Sequence, residues 1–351
     1  MKKIIILVIA VIAIASMWYI FSLKPVSKNI AEKEVTVPMG SSTKQIADIL
    51  KENKLIKNKL AFRVYVKLNN VSDFKAGTYY LKESMSVKEI TKMLHTGVMY
   101  DPNQITITYL EGKTFPWLAK KIADITDNTE EDVYNLLKDE NYIDELINKY
   151  WFITDEVKNE NIYYALEGYL FPDTYQLKSK DITVEEIFKI MLDQMEKVLN
   201  DYKEDIKNNQ YTVHQLLTIA SIVEAESTKV EDRKDVASVI YNRLKSNMSI
   251  QSDVTTYYAI KVDMGERDLY MSEINWNNPY NTRGPNMNGK LPIGPIASVS
   301  KTSIEAAIKP SNTDYLYFVA DKTGKLYFTK TNEEHNQMIN DLKSKNLWFE
   351  Y

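Results

Sequence analysis

An α+β fold is predicted for this chain of 351 residues, and three observations predict it. Short alternating strands in the first third each run through a turn into an amphipathic helix. An uninterrupted apolar helix lies past the midpoint, and near the end two aromatic strands flank a tight turn. The expected order is an N-terminal membrane helix, small βα modules, then a mixed α+β domain with a candidate acid/base glutamate at the end of a buried helix.

Composition narrows the chemistry before any motif does. With 44% hydrophobic and 26% charged residues the chain is globular and long enough for two or three domains. It has no cysteine, which excludes disulfides, thiolate metal sites and a cysteine nucleophile. Its three histidines, His95, His214 and His335, form no metal-binding spacing, so neither a metal site nor a Ser-His-Asp triad is expected, and no cofactor is called for. A net charge of -4, with lysines and acids mixed along the chain, argues against nucleic acid as a partner.

The first element is an apolar run from Ile4 to Phe21 behind Met1-Lys-Lys. About 18 residues give roughly 27 Å of helix, enough to cross a bilayer core. A retained anchor is expected rather than a cleaved signal. Ala13-Ile-Ala15-Ser16 runs straight into Met17-Trp-Tyr-Ile-Phe21, and such aromatics suit a membrane interface. The short N-terminus then leaves the body outside the cytoplasm. Residues 1–24 are read as the anchor with its cytoplasmic end and 25–33 as a linker.

A strand-turn-helix phrase comes next, with Val35-Thr-Val37-Pro-Met-Gly40 alternating, Ser42-Thr43 able to cap, and Ile46, Ala47, Ile49 and Leu50 lining a helix face. The phrase recurs. Ile107-Thr-Tyr109-Leu-Glu-Gly112, Thr114, then Leu118, Ala119 and Ile122 superpose on the first copy glycine on glycine. Between the copies, Gly77-Thr-Tyr-Tyr-Leu81 leads into a helix opened by a Ser86-x-x-Glu89 capping box. Such stacked units resemble LysM-type wall-binding modules. The expected boundaries are 34–104 for a LysM-like module, 105–160 for a second βα module with a helical connection, and 161–351 for a catalytic domain.

The candidate chemistry sits at residues 212–228. Val213, Leu216, Leu217, Ala220 and Val223 recur at helical spacing, and Ile219 and Ile222 widen the stripe. Glu224 lies about 70° and Glu226 about 90° from the centre of that arc, on opposite edges, so periodicity alone barely separates them. Thr228-Lys-Val-Glu231 reads as a capping box opening the next helix, which puts both glutamates in a last turn. There the helix dipole and burial both disfavour a carboxylate, and either glutamate could keep the proton a general acid needs. The next helix carries Arg233, Asn242 and Arg243, able to orient nearby carboxylates.

Other segments supply polar groups: the aromatic turn Glu167-Gly-Tyr-Leu-Phe-Pro-Asp-Thr-Tyr175, the loops Gln251-Ser-Asp253-Val-Thr255 and Asn278-Pro-Tyr-Asn-Thr282, and the rigid turn Leu291-Pro-Ile-Gly-Pro-Ile296. Tyr315-Leu-Tyr-Phe-Val319 and Leu326-Tyr-Phe328, joined through Asp321-Lys-Thr-Gly324, read as a hairpin, and Glu333-Glu-His-Asn336 opens a last helix.

Taken in order, these segments with Ala220-Ser-Ile-Val-Glu-Ala-Glu226, Val236-Ala-Ser-Val and Asn242-Arg-Leu244 resemble the endolytic murein transglycosylases of the MltG (YceG-like) family. The resemblance implies that Glu224, the first of the Glu-x-Glu pair, is the catalytic glutamate. Glu226, Glu167, Gln251, Asp253, Thr255, Asn281 and Thr282 become candidate substrate contacts. It also implies a single-pass cell-membrane anchor, an extracytoplasmic catalytic domain, and peptidoglycan glycan strands as substrate. The cytoplasmic membrane and peptidoglycan synthases would be its partners. Three positions depart from the family pattern: Asp253-Val-Thr255 stands for Asp-Pro-Thr, Arg283 for a tyrosine, and Leu326 for a common histidine.

The implied reaction breaks the MurNAc-GlcNAc β-1,4 bond inside a strand and leaves a 1,6-anhydro-MurNAc end, terminating or trimming nascent strands. Two rivals stand beside it: a muramidase hydrolysing the same bond with Asp253 or Glu167 as second carboxylate, and a wall-binding scaffold without activity.

Overall fold

The computed structural model describes residues 2–71, 73–97 and 104–348, with side chains from residue 11 onward except that of residue 12. The chain divides into two compact units, residues 1–104 and 105–351.

The first unit begins with helix α1 (Lys2–Leu23), whose described residues between Val11 and Phe21 are mostly exposed. Among the described residues no helix is long and apolar enough to cross a membrane. Strand β1 (Glu32–Val37) pairs antiparallel with β2 (Gly77–Lys82), and α2 (Thr43–Glu52) and α3 (Lys59–Leu68) lie between them in sequence. Helix α4 (Val87–Thr96) comes after β2. Alternation places Val35 and Val37 with Tyr79 and Leu81 on the buried face, against Ile46, Leu50, Phe62, Ile90 and Leu94. The predicted Ser86–Glu89 capping box opens α4, and Ser42, expected to cap α2, does so in a box with Gln45.

The second unit repeats the phrase and builds on it. Strand β3 (Ile105–Thr108) leads through Gly112 into α5 (Phe115–Ile125), and Leu118, Ala119 and Ile122 are buried at the positions matching Ile46, Ala47 and Leu50 of α2. Gly40 and Gly112 both take left-handed backbone, at φ 76 and 71, the conformation that favours glycine in the turn. Their partners differ, because β3 pairs antiparallel with β4 (Thr174–Leu177), far along the chain. The segment 105–160, read from the sequence as a separate module and connection, therefore shares one core with the helices C-terminal to it, and α6 (Glu130–Lys138) and α7 (Glu140–Lys149) belong to that unit.

Helices α8 (Val184–Asn200), α9 (Lys203–Lys207), α10 (Val213–Glu226), α11 (Arg233–Lys245) and α12 (Asp253–Ile260) complete the helical part with α13 (Met271–Ile274) and α14 (Lys301–Ile308). Strands β5 (Tyr317–Ala320) and β6 (Leu326–Thr329) form the expected hairpin, and α15 (Asn332–Ser344) starts at a Thr331/Glu334 capping box. Helix α10 is the axis of this unit: every residue from Val213 to Val223 except Gln215 is buried.

One local expectation fails. Thr228 and Glu231 do not form a capping box; a 3-10 turn at Val230–Asp232 starts after Lys229 and runs directly into α11. The tighter turn makes Arg233 the first residue of α11, within reach of the end of α10.

Candidate active site

The two glutamates leave α10 on different sides. Glu224 Oε1 accepts from Arg233 Nη2 at 2.7 Å, and Glu224 Oε2 accepts from the Ser300 N–H at 3.0 Å and the Ser300 hydroxyl at 2.5 Å. The Arg233 and Glu224 side chains are only 8% and 5% exposed, so this ion pair is shielded from solvent rather than solvated on the surface. Arg233 Nη1 also donates to Ser300 Oγ at 2.5 Å and to Thr302 Oγ1. Ser300 is held in turn as the N-cap of α14, accepting from Ser303 N–H at 3.2 Å.

The segment leading to Ser300 is fixed along α10 one helical turn at a time. Ile296 N–H donates to Ser221 Oγ at 3.0 Å, one turn before Glu224. Beyond it, Gly112 N–H donates to Ser298 O at 3.1 Å and Ser298 N–H to Lys113 O at 2.9 Å, which lays the β3–α5 turn against the same segment. A Cβ built on Gly112 would stand 3.8 Å from Glu224 Cγ. The wall facing Glu224 thus comes from the turn of the second sequence repeat, which periodicity did not connect to it.

Glu226 faces elsewhere. It accepts from the Ser252 hydroxyl at 2.6 Å and borders a cavity of about 500 Å³ together with Gln251, Asp253, Arg243, Arg283, Leu326 and His335. Burial pushes the Glu226 carboxyl up; Ser252 pulls it down, Asp253 adds to the rise and Arg283 opposes it. Asp253 is ion-paired with Arg283, the residue standing where the family pattern has tyrosine. Glu224 is not among the residues lining this cavity. A larger cavity of about 840 Å³, lined by Tyr134, Tyr163 and Tyr164 among others, borders neither glutamate.

The remaining sequence candidates separate by exposure. Thr255, Asn281 and Thr282 are 0% exposed. Thr255 and Thr282 share a hydroxyl bond of 2.8 Å, and Asn281 Nδ2 donates to the Glu273, Ile274 and Trp276 carbonyls. In this structure these three side chains spend their hydrogen bonds within the protein wall. Gln251, Asp253 and Glu226 border open space.

Glu167, 2% exposed, also lies in the core. Its carboxylate accepts from Phe115 N–H at 3.0 and 2.8 Å and from Tyr258 Oη at 3.1 Å. Thr114, the N-cap of α5, makes no side-chain cap bond, and the Glu167 carboxyl supplies the acceptor at that helix start instead. Burial raises its carboxyl from 4.5 to about 8, against the pull of Phe115, Tyr258 and Gly168. Of the turn's two open roles, lining a cleft or closing a core, this geometry is the second: Gly168 sits at φ 77 with the space for a Cβ taken by Pro295, 2.4 Å away. Of the three orienting residues expected on α11, only Arg233 meets a carboxylate. Asn242 donates to the Thr313 and Tyr315 carbonyls, and Arg243 mainly to the Leu316, Ser249 and Ile250 carbonyls. His214 is a core residue bridging Tyr169 Oη at 2.8 Å and the Ile293 carbonyl at 2.9 Å.

Known proteins share these segments. The YceG-like family model matches residues 35–341. The endolytic murein transglycosylase of Bacillus subtilis (strain 168) is 41% identical over 317 residues, 90% of this chain and 86% of that protein. A protein of the same name from Streptococcus pneumoniae serotype 2 (strain D39) is 37% identical over 335 residues, covering 91% of this chain and 60% of that longer protein. The crystal structure of a yceG-like protein from Listeria monocytogenes, 36% identical, aligns with a TM-score of 0.62 over 89% of this chain and 100% of that one.

Proposed function

The chain belongs to the YceG-like family, and we propose that it is an endolytic lytic transglycosylase that cleaves peptidoglycan glycan strands, with Glu224 as its acid/base. One observation carries the residue assignment. At the end of the buried α10, Glu224 is held by Arg233 and Ser300 through both oxygens, in a position fixed from three separate segments. A single carboxyl must serve two proton transfers from one place, and that demands such fixation.

In the proposed reaction, protonated Glu224 gives its proton to the oxygen of the MurNAc-GlcNAc β-1,4 link as the bond from C1 to that oxygen breaks. The C6 hydroxyl of the same MurNAc attacks C1, and its proton passes to the Glu224 carboxylate. A 1,6-anhydro ring closes, the acid is regenerated, and no water is consumed. The nucleophile is tethered to the reacting sugar, which replaces an activated water by effective concentration.

Muramidase chemistry is the second reading, favoured by one feature: Asp253, beside Glu226, is a carboxylate at the edge of open space that could activate water. Glu167 is a poor candidate for that role because its oxygens are committed to Phe115 and Tyr258 within the core. The two readings part on products. Purified glycan strands cleaved in oxygen-labelled water should give internal cuts with 1,6-anhydro ends, one water lighter than hydrolytic products and free of label. Labelled reducing ends would replace the transglycosylase with the muramidase.

The placement we propose is a single-pass anchor in the cytoplasmic membrane, with the catalytic unit outside, beside peptidoglycan synthases. It rests on the apolar run from Ile4 to Phe21 and on the helix over Lys2–Leu23. External protease on intact protoplasts should digest the body of the protein; a protected body would sink the topology. The reading of residues 34–104 as a LysM-like wall-binding module is supported by the paired strands β1 and β2 with helices α2 and α3 between them.

A further inference from the structure

The cavity beside Glu226 is built in a way that strand cleavage does not call for. Its floor is branched aliphatic, with Ile222 of α10, Val236, Val239 and Ile240 of α11, and Ile250 all buried beneath it. Its open side is charged: Arg283 and Asp253 form an ion pair there, with side chains 32% and 52% exposed. A volume of about 500 Å³ lies within the range of small-ligand sites. An ion pair so open to solvent adds little to stability, so the fold has small use for it. Asp253, the first residue of α12, is already favoured by the helix N-terminus without an arginine. The arginine is moreover particular to this chain, since the family pattern has tyrosine at 283.

The backbone at the cavity edge is strained as well. Gln251 takes left-handed backbone at φ 56, a conformation costly for a residue with a side chain. Its exposed side chain borders the cavity, and Arg243 Nη1 donates to its Oε1 at 3.4 Å. The strained turn thereby sets a carboxamide, which can both donate to and accept from a peptide link, beside the ion pair.

We propose that this cavity is a stem-peptide pocket: it takes a diamino acid whose side chain ends in both an ammonium and a carboxylate, Asp253 meeting the first and Arg283 the second. That role rests on peptidoglycan being the substrate, whose muramic acid carries a short peptide on its lactyl group. The methylenes of the diamino acid lie on the aliphatic floor. Binding exchanges one exposed ion pair for two, and the planar fork of arginine matches a carboxylate where a tyrosine would not. A sugar suits the cavity less well. Branched aliphatics offer no flat face for a pyranose to stack on, and the Tyr317 ring in the wall is already stacked on His335 at 5.3 Å, with the Arg243 guanidinium 5.0 Å from its centre. Because Glu224 and Glu226 leave α10 on different sides, the peptide pocket is separate from the proposed acid/base.

The test uses the full chain and two soluble stem tripeptides, one ending in diaminopimelate and the other in lysine, which lacks only the second carboxylate. Calorimetric titration should show the diaminopimelate peptide binding on the order of 10-fold more tightly. Arg283→Tyr should bring the two peptides level, and Asp253→Asn should weaken both. Equal binding of the two by the parent, binding of neither at millimolar concentration, or a preference that survives Arg283→Tyr overturns the pocket. Cleavage supplies the second arm. The parent's kcat/KM for strands carrying diaminopimelate peptides should exceed that for strands stripped of peptide on the order of 10-fold, and Arg283→Tyr should bring the ratio near one. A parent ratio near one overturns the pocket's part in choosing substrate. If the peptides bind as stated but strands stay whole, or end in labelled reducing sugars, the pocket stands and the transglycosylase reading is what fails. Products with 1,6-anhydro ends and no peptide preference remove the pocket alone.

Discussion

Glu224→Gln is expected to abolish strand cleavage while leaving a folded protein. The amide can neither give the proton to the departing oxygen nor take it from the C6 hydroxyl, and general acid/base help is commonly worth about 10² to 10⁴ in rate. Stability should fall modestly. Glu224 accepts from Arg233 at one oxygen and from Ser300 at the other, whereas glutamine has only one acceptor to offer. Its NH₂ must face either the guanidinium or the Ser300 N–H, a mismatch costing about 1 to 3 kcal/mol. Activity is therefore compared well below the unfolding temperature, with circular dichroism confirming the fold. Parent-like cleavage by this variant would move the acid/base role away from Glu224, and Glu226, which borders the 500 Å³ cavity with its carboxyl pushed up by burial, would be the first place to look.

Local chemistry made much of the fold legible. The recurring phrase at Val35 and Ile107, the helices behind it, the capping serines at 42 and 86 and the terminal hairpin all come from spacing within a few residues, and all appear in the structure. Contacts between distant segments were not legible. Periodicity could not rank Glu224 against Glu226 because α10 is buried almost all round, leaving no polar face to measure from. The polar loops around Asn281 announced hydrogen bonding, but not that the bonds would be made to one another inside the wall. The expected cap at Thr228 failed for the same reason: the chain between α10 and α11 takes the tight path that brings Arg233 back to Glu224.

That return path makes Arg233 the residue whose loss should be felt most in stability. Arg233→Met keeps most of the side-chain volume but removes the charge, leaving Glu224 in a site where its side chain is 5% exposed with only Ser300 to serve it. Removing one partner of a buried ion pair commonly costs about 3 to 5 kcal/mol, chiefly because the other charge is left uncompensated. The bonds from Arg233 to Ser300 and Thr302 go as well, loosening the cap of α14. Urea unfolding at neutral pH should show the midpoint falling with an unchanged slope. Glu224→Gln in the Arg233→Met background should then recover part of the loss, since an amide needs no counter-charge, with a coupling of about 0.5 to 3 kcal/mol between the two changes. Strict additivity would mean the pair carries no mutual energy and Arg233 acts through Ser300 and Thr302 alone. A recovered double variant that still fails to cleave strands would separate the two demands on this site, since the charge that serves the reaction is the one the fold must spend an arginine to hold.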